Sequence, residues 1–355
     1  MTNNYRKRRN KVLASDEFSS DAFLITNLKN IRYLTGFTGT FGVALLTKNG
    51  CFLLVDFRYV EQAKKEVKAE IIEFKNSWIE TLKDIIFKEK IKRLSFETSL
   101  SYEIFSQLLN IKEVTLIPQS HLVENIRKIK EDIEIEYIKK SITIAENAFL
   151  KIKPNIKEGI SERKIAILLE NEIKKQGSRE LPFSVIVASG PNSSIPHWRN
   201  SNRLLKKGDF VIIDWGAEYK GYYSDMTRTF IIGRASEKQI EIYEIVNKAR
   251  AEAIKSISKG IEAKKIDAGA RNLIKQSGYY ENFGHATGHG VGMDVHELPK
   301  INMKSEEIIK SGMVFTIEPG IYIEGFGGIR IEDMVAVRDN SVELLTTLST
   351  ELEII

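Results

Sequence analysis

One cysteine, Cys51, in a chain of 355 residues makes an intramolecular disulfide impossible. It sits in the apolar run CFLLV and reads as a core strand residue. Long apolar runs are missing as well. None approaches the roughly 18 residues that a membrane span requires, so no membrane partner is expected. Neither sign of charge dominates, because 53 basic residues face 48 acidic ones and leave a net +5. A polyanionic partner such as nucleic acid is therefore not expected. The one concentrated basic run, YRKRRNK at 5–11, reads as the solvated start of a first helix. No apolar stretch follows it, so it is not a signal peptide, and the expected location is cytoplasmic. Low-complexity segments and long flexible linkers are also lacking. What remains is an ordinary globular profile, 42% apolar and 28% charged, in a chain long enough for two domains with sizeable cores.

The first part alternates short apolar runs with amphipathic ones. DAFLIT, GVALLT, CFLLVD and RLSFE predict strands, whereas RYVEQAKKEV and SWIETLKDIIFKEK predict helices. This alternation indicates an α/β layer. The chain turns highly charged over 121–135, which places a boundary there and gives domains 1–125 and 126–355. The second part opens with two long helical patterns, the first stopped by Pro154 and the second by Gly177. Strands follow at SVIVAS, DFVIIDWG and RTFIIG, then a second helical pair whose first member starts with a capping-box pattern, Ser236 to Gln239. Further strands run to residue 355. The order helices, strands, helices, strands hints at an internal duplication.

Four carboxylates lie at strand positions in this second part. A turn at Tyr219 and Lys220 would set Asp214 directly opposite Asp225, with their Cβ atoms about 5 Å apart. Two ionised carboxylates that close need either a shared proton or a cation between them. The plain alternative is a pair of surface aspartates beside a turn, but Asp214 ends the apolar run FVIID. Glu318 and Glu332 lie at equal distance from Gly325, the centre of the loop EGFGG, and each sits among apolar neighbours. Carboxylates are rarely buried unless paired or bound to metal. Arg330, two residues before Glu332, offers a simple ion pair instead. Two divalent cations would neutralise the four charges, and with one imidazole added the oxygen-rich set suits Mn²⁺-type ions. Cations held this way could activate a shared water and stabilise a tetrahedral intermediate, the pattern of a dinuclear hydrolase.

The segment FGHATGHGVGMDVHELP, residues 283–299, holds His285, His289 and His296, three of the five histidines. Its end begins like the zinc-protease pattern HExxH, but Lys300 stands where the second histidine is needed. Gly284, Gly288, Gly290 and Gly292 oppose a helix, at about 1 kcal/mol each. They favour extended or looped backbone that something approaches closely. By itself the stretch leaves open a metal site or a glycine-rich surface loop.

The same residues carry a resemblance. With Asp214 in DWG, Asp225 in SDMTRT, His289 in TGHGVG, Glu318 in TIEPG and Glu332 in RIED, residues 126–355 resemble the metallopeptidases of pita-bread fold. That family includes methionine aminopeptidase, aminopeptidase P and prolidase. The stretches NIRYLTGFTGTFG and LLVDFRYVEQA resemble the amino-terminal domain of aminopeptidase P, prolidase and creatinase. Typical methionine aminopeptidases lack that domain, and creatinase lacks the metal ligands. What remains is the proline-directed branch. The resemblance therefore implies an α/β (α+β) chain, a creatinase-like domain followed by a pita-bread catalytic domain. It implies an aminopeptidase that hydrolyses the N-terminal Xaa–Pro bond through a hydroxide bridging two metal ions, or alternatively a prolidase restricted to dipeptides. Two divalent ions are expected, Mn²⁺ first, with Co²⁺ or Zn²⁺ as alternatives, together with peptides carrying proline at the second position and a homodimer. Asp225 and Glu332 would bridge both ions, Asp214 would complete one, and His289 with Glu318 the other. Glu318 would also relay protons. His197, His285 and His296 would line the substrate pocket and support the intermediate, and Arg330 would steady the carboxylates. Tyr322 is placed near the pocket. Trp198 departs from the family's usual small residue, so its ring is expected to narrow the pocket mouth or to favour apolar residues. The competing reading is a peptide- or nucleic-acid-binding relative without catalysis, which retention of all five ligands opposes.

Overall fold

A computed structural model describes residues 2–355, with side chains from residue 4 onwards. The chain divides into two compact units, the first ending at Arg127 and the second spanning Lys128–Ile355.

The first unit is built on a six-stranded mixed sheet. Its strands are β1 (Ala22–Ile25), β2 (Val43–Thr47), β3 (Cys51–Val55), β4 (Glu70–Glu73), β5 (Arg93–Glu97) and β6 (Thr115–Gln119), in the order β4-β3-β2-β1-β5-β6. The expected strands are all present, Cys51 is buried in β3, and burial raises its thiol pKa to about 11. The predicted helices fall at Val60–Glu66 and Trp78–Lys88. The basic run lies in a helix, Thr2–Leu13, but it is not wholly solvated. Arg8 is buried, with its guanidinium 4.2 Å from the Tyr33 ring centroid and donating to the Tyr33 carbonyl. A guanidinium is weakly hydrated and stacks well on an aromatic face, which a charge count does not register.

The second unit opens with α1 (Asp132–Ile152) and α2 (Glu162–Lys175), followed by β7 (Ile186–Ser189), β8 (Phe210–Trp215), and the short hairpin β9 (Glu218–Tyr219) and β10 (Tyr222–Tyr223). Next come β11 (Met226–Ile231), α3 (Glu237–Lys255) and α4 (Ala263–Gln276). The Ser236–Gln239 capping box forms as expected, each side chain bonded to the other residue's backbone N–H. The remaining strands include β12 (Gly288–Gly290), β13 (Glu297–Ile301), β14 (Val314–Ile317), β15 (Gly320–Ile323), β16 (Gly327–Arg330), β17 (Asp333–Val337), β18 (Val342–Leu344) and β19 (Glu353–Ile354). Two sheets result, β19-β11-β8-β7 and β13-β12-β14-β17-β18, with β15 and β16 as a separate hairpin. The inner face of β8 is fixed by Trp215, which stacks on Phe149 at 4.7 Å and donates its indole N–H to the Ala145 carbonyl of α1.

The register of β8 and β11 corrects one expectation. The turn lies at Lys220 and Gly221, both with positive φ, rather than at Tyr219 and Lys220. Asp214 therefore pairs with Thr227, and Asp225 is not directly opposite it. A two-residue shift preserves the strand's alternation, so both aspartates still project from one face as diagonal neighbours. Gly216 makes the diagonal space, since a Cβ there would lie 1.9 Å from the Ser224 carbonyl oxygen.

Candidate metal centre

The two hairpins supply the carboxylates from complementary positions. Pairing of Ile317 with Asp333 and of Gly320 with Arg330 centres the second hairpin on Gly325, as its loop predicts. Glu318 and Glu332 fall in the gap between these two paired segments. There the backbone is released from its own ladder, and Glu332 bridges instead to Thr227 of β11, its N–H donating to the Thr227 carbonyl at 3.1 Å. Thr227 thus ties the Asp214 strand to Glu332, and its hydroxyl donates to Glu332 Oε2 at 2.7 Å.

Asp214, Asp225, His289, Glu318 and Glu332 all line one cavity of about 310 Å³, together with His197, His285, His296 and Arg330. Asp225 and Glu332 are nearly inaccessible, 4% and 2% exposed, while His197 and His296 are exposed at the cavity's open side. Three overlapping groups bring ligand-type atoms within 4.8 Å of one another: Asp214, Asp225 and Glu332; His289, Glu318 and Glu332; and Asp225, His289 and His296. His296 is thus itself a member of one group, its ring 4.3 Å from that of His289.

The polar groups have the pattern expected around a cation. Asp214 Oδ1 and Glu332 Oε1 are buried and accept no hydrogen bond within the described residues. His289 Nδ1 is 3.2 Å from the Gly290 carbonyl, which can only accept, so the proton sits on Nδ1. The lone pair of Nε2 then faces Asp225 Oδ2 at 3.6 Å and Glu318 Oε1 at 3.3 Å. A lone pair among carboxylate oxygens is repelled unless a proton or cation lies between them. Burial first, then the charges of Glu332, Asp214 and Glu318, push the Asp225 pKa well above the carboxylate range. Burial, Glu318 and Asp214 do the same to Glu332, and burial raises Glu318. Burial lowers the pKa of His285, His289 and His296, which favours neutral imidazoles, and in His289 this leaves the Nε2 lone pair facing the carboxylates. Oxygen-rich ligands with neutral imidazole fit hard divalent cations.

Arg330 does not pair with Glu332, as strand alternation suggested. Its Nη2 donates to Asp214 Oδ2 at 2.7 Å, its Nη1 to the Tyr322 hydroxyl at 2.9 Å, and its Nε to the Thr227 hydroxyl at 3.1 Å. Tyr322 is more than a neighbour. His285 Nδ1 faces the Ala286 carbonyl at 2.8 Å, so the acceptor Nε2 receives the Tyr322 hydroxyl at 2.9 Å. Both nitrogens of His285 are thereby engaged inside the protein. Behind the site, Arg228 bonds the carbonyls of Thr227 and Glu332 and pairs with Asp333 at 2.8 Å, locking the two carboxylate-bearing strands from their other face. Thr227, Thr316 and Arg228 were not singled out from the sequence. A signal existed for the threonines: each lies two residues from a candidate ligand, Asp225 or Glu318, and so shares its face. Thr316 accepts from the His289 N–H at 3.1 Å.

One further expectation is corrected. The Trp198 ring does not line the cavity. Its indole N–H donates to Glu162 at 2.9 Å, at the start of α2. At Gly288 and Gly290 the close approach expected of this backbone comes from the neighbouring strands. A Cβ on Gly288 would lie 1.9 Å from the Thr316 carbonyl oxygen, and one on Gly290 2.1 Å from that of Leu298. Gly288→Ala is expected to lower stability by ~3 kcal/mol, read as a fall in melting temperature. An unchanged melting curve would contradict this packing. Glu297, of the false HExxH, is paired with Lys130 at 2.7 Å in nearly complete burial.

Residues 136–339 match the profile of metallopeptidase family M24, and residues 8–129 that of the creatinase/prolidase N-terminal domain. A Xaa-Pro dipeptidase of Pyrococcus horikoshii is 40% identical over 95% of this chain and 95% of its own. Among solved structures, a Xaa-Pro dipeptidase from Bacillus anthracis is 40% identical with a TM-score of 0.97, covering 99% of this chain and 100% of that one. An X-Pro aminopeptidase from Thermotoga maritima is 38% identical with a TM-score of 0.89, covering 95% and 98%.

Proposed function

Because the chain belongs to metallopeptidase family M24 and carries a creatinase/prolidase N-terminal domain, we propose that it is an aminopeptidase hydrolysing the N-terminal Xaa–Pro bond of peptides. The observation that carries this reading is the convergence of four carboxylates and His289 on one cavity, with orphaned oxygens on Asp214 and Glu332. Asp214, Asp225, His289, Glu318 and Glu332 would hold two divalent cations, Mn²⁺ by the hardness of the donors. Bound there, such ions supply Lewis acidity towards a peptide carbonyl and make a water more acidic.

The chain's own residues have separable roles. Glu318, half-buried at the cavity wall and 3.3 Å from the Thr316 hydroxyl, takes a proton from the attacking water. It passes that proton to the proline nitrogen, which leaves only when protonated. Arg330 holds Asp214 in place, while the Ala286 carbonyl fixes the tautomer of His285 and Tyr322 orients its ring. His197 and His296, exposed at the open side, are free to meet the substrate and the developing oxyanion. Glu332 and Asp225 remain ionised once cations offset the mutual repulsion that raises their pKa values.

Two of the relatives named above are Xaa-Pro dipeptidases, which supports a second reading, a Xaa-Pro dipeptidase. The X-Pro aminopeptidase from Thermotoga maritima, at comparable identity, supports the first. Rates on Ala-Pro and on a longer peptide beginning Ala-Pro, with Mn²⁺ present, separate the two. We expect both to be cleaved. Hydrolysis of the dipeptide alone would establish the second reading instead. A homodimer and a cytoplasmic location are expected to go with this activity.

A further inference from the structure

Glu162, the first residue of α2, is fully buried yet lies outside the cavity lining. Its two oxygens divide their work. Oε1 accepts from the Ser189 N–H at 2.8 Å, the Ser189 hydroxyl at 2.7 Å and Asn192 Nδ2 at 2.9 Å. Oε2 accepts from Trp198 Nε1 at 2.9 Å, and from the Ser201 N–H at 3.0 Å and its hydroxyl at 2.7 Å. One carboxylate therefore clips together both ends of the segment 189–201, whose middle carries His197 to the cavity edge. The same segment offers the Pro196 carbonyl to Arg330 and the Ser193 hydroxyl to the Gly328 N–H.

We propose that Glu162 is a positioning residue of the active site, setting the place of His197 by anchoring both ends of the segment that bears it. Six donors converge on two oxygens, so both must be acceptors. Despite the opposing effect of burial, the hydroxyl, amide and indole donors hold the Glu162 pKa below its ordinary value, consistent with a permanent carboxylate. Glutamine keeps the volume but turns one acceptor into a donor facing three donors, so one end of the segment must release. Trp198 then has a positive role: its indole N–H is one of the six donors, which explains a large ring next to His197.

The inference rests on the peptidase reading of the cavity, and its test separates the two. Glu162→Gln is compared with the unaltered chain by hydrogen exchange and by Xaa–Pro hydrolysis. Amide exchange in 189–201 is expected to speed up about ten-fold while β8 and β14 keep their protection. In the same variant kcat/KM is expected to fall about ten- to hundred-fold, the scale of a misplaced group. Placed on a His197→Ala background, the substitution should add less than about two-fold, because residues acting through one another do not add. Unchanged exchange, or a full additional loss on that background, overturns the proposal. If Glu162→Gln fails to fold, the cycle is run with Trp198→Phe, which removes one donor and keeps the ring. An unaltered chain that leaves Xaa–Pro bonds intact would refute the peptidase reading, whereas the exchange experiment still decides the anchoring.

Discussion

Asp225→Asn is expected to abolish hydrolysis while leaving the fold intact. Asp225 is 4% exposed, lies 3.6 Å from His289 Nε2, and belongs to two of the three groups of ligand-type atoms. Losing its charge weakens the hold on a cation, and Lewis acidity worth several kcal/mol converts to a fall on the order of 10³-fold in kcat/KM. Stability should respond in the opposite sense. Without cations, the Asp225 carboxylate is opposed by burial and by three like charges, so a neutral amide of equal volume relieves strain. The expected result is an unchanged or higher melting temperature in chelator, with a smaller rise on adding Mn²⁺. Near-normal turnover in the variant would remove Asp225 from the ligand set.

Stripping divalent cations from the unaltered protein is the second large effect. Hydrolysis should cease and return on adding Mn²⁺, and the melting temperature should follow. A ligand that binds only the native state contributes ~2.7 kcal/mol at 100-fold over its Kd. At roughly 2–4 °C per kcal/mol for a domain of 150–250 residues, the second unit should gain about 5–10 °C. Folding without cations is nevertheless expected. Arg330 already neutralises Asp214, Arg228 and Asp333 brace the strands from behind, and raised pKa values let Asp225, Glu318 and Glu332 hold protons. Full activity after exhaustive chelation, with no change in melting, would refute the metallopeptidase mechanism.

Much of this arrangement could be read along the chain, and the readings that held share a cause. The strands of both units follow from short continuous apolar runs, and the Ser236–Gln239 cap from two side chains three residues apart. The placing of Glu318 against Glu332 follows from a short loop centred on Gly325. In each case the decisive contacts are local. The Asp214–Asp225 register failed for a local reason as well. Gly221, with its positive φ, marks the turn, and starting it one residue early moves the pairing by two. Strand alternation survives a shift of two, so the shared face was legible although the pairing was not.

Long-range contacts had no such signal. Arg330 shares a hairpin with Glu332 but reaches Asp214, 116 positions away, because β16 packs against the strands of the other hairpin. Trp198 turns from the cavity to Glu162, 36 positions back, and Gly288 is small for the sake of the Thr316 carbonyl. The sequence by itself determined which residues can bind cations, in what order, and on which strand faces they lie, since chemistry and period-two geometry are carried by each short segment. Only the tertiary structure decided their partners: which oxygens Arg330 relieves, which stay orphaned, and what holds His197 in place. Those choices depend on how strands far apart in the chain pack, and no local propensity encodes that.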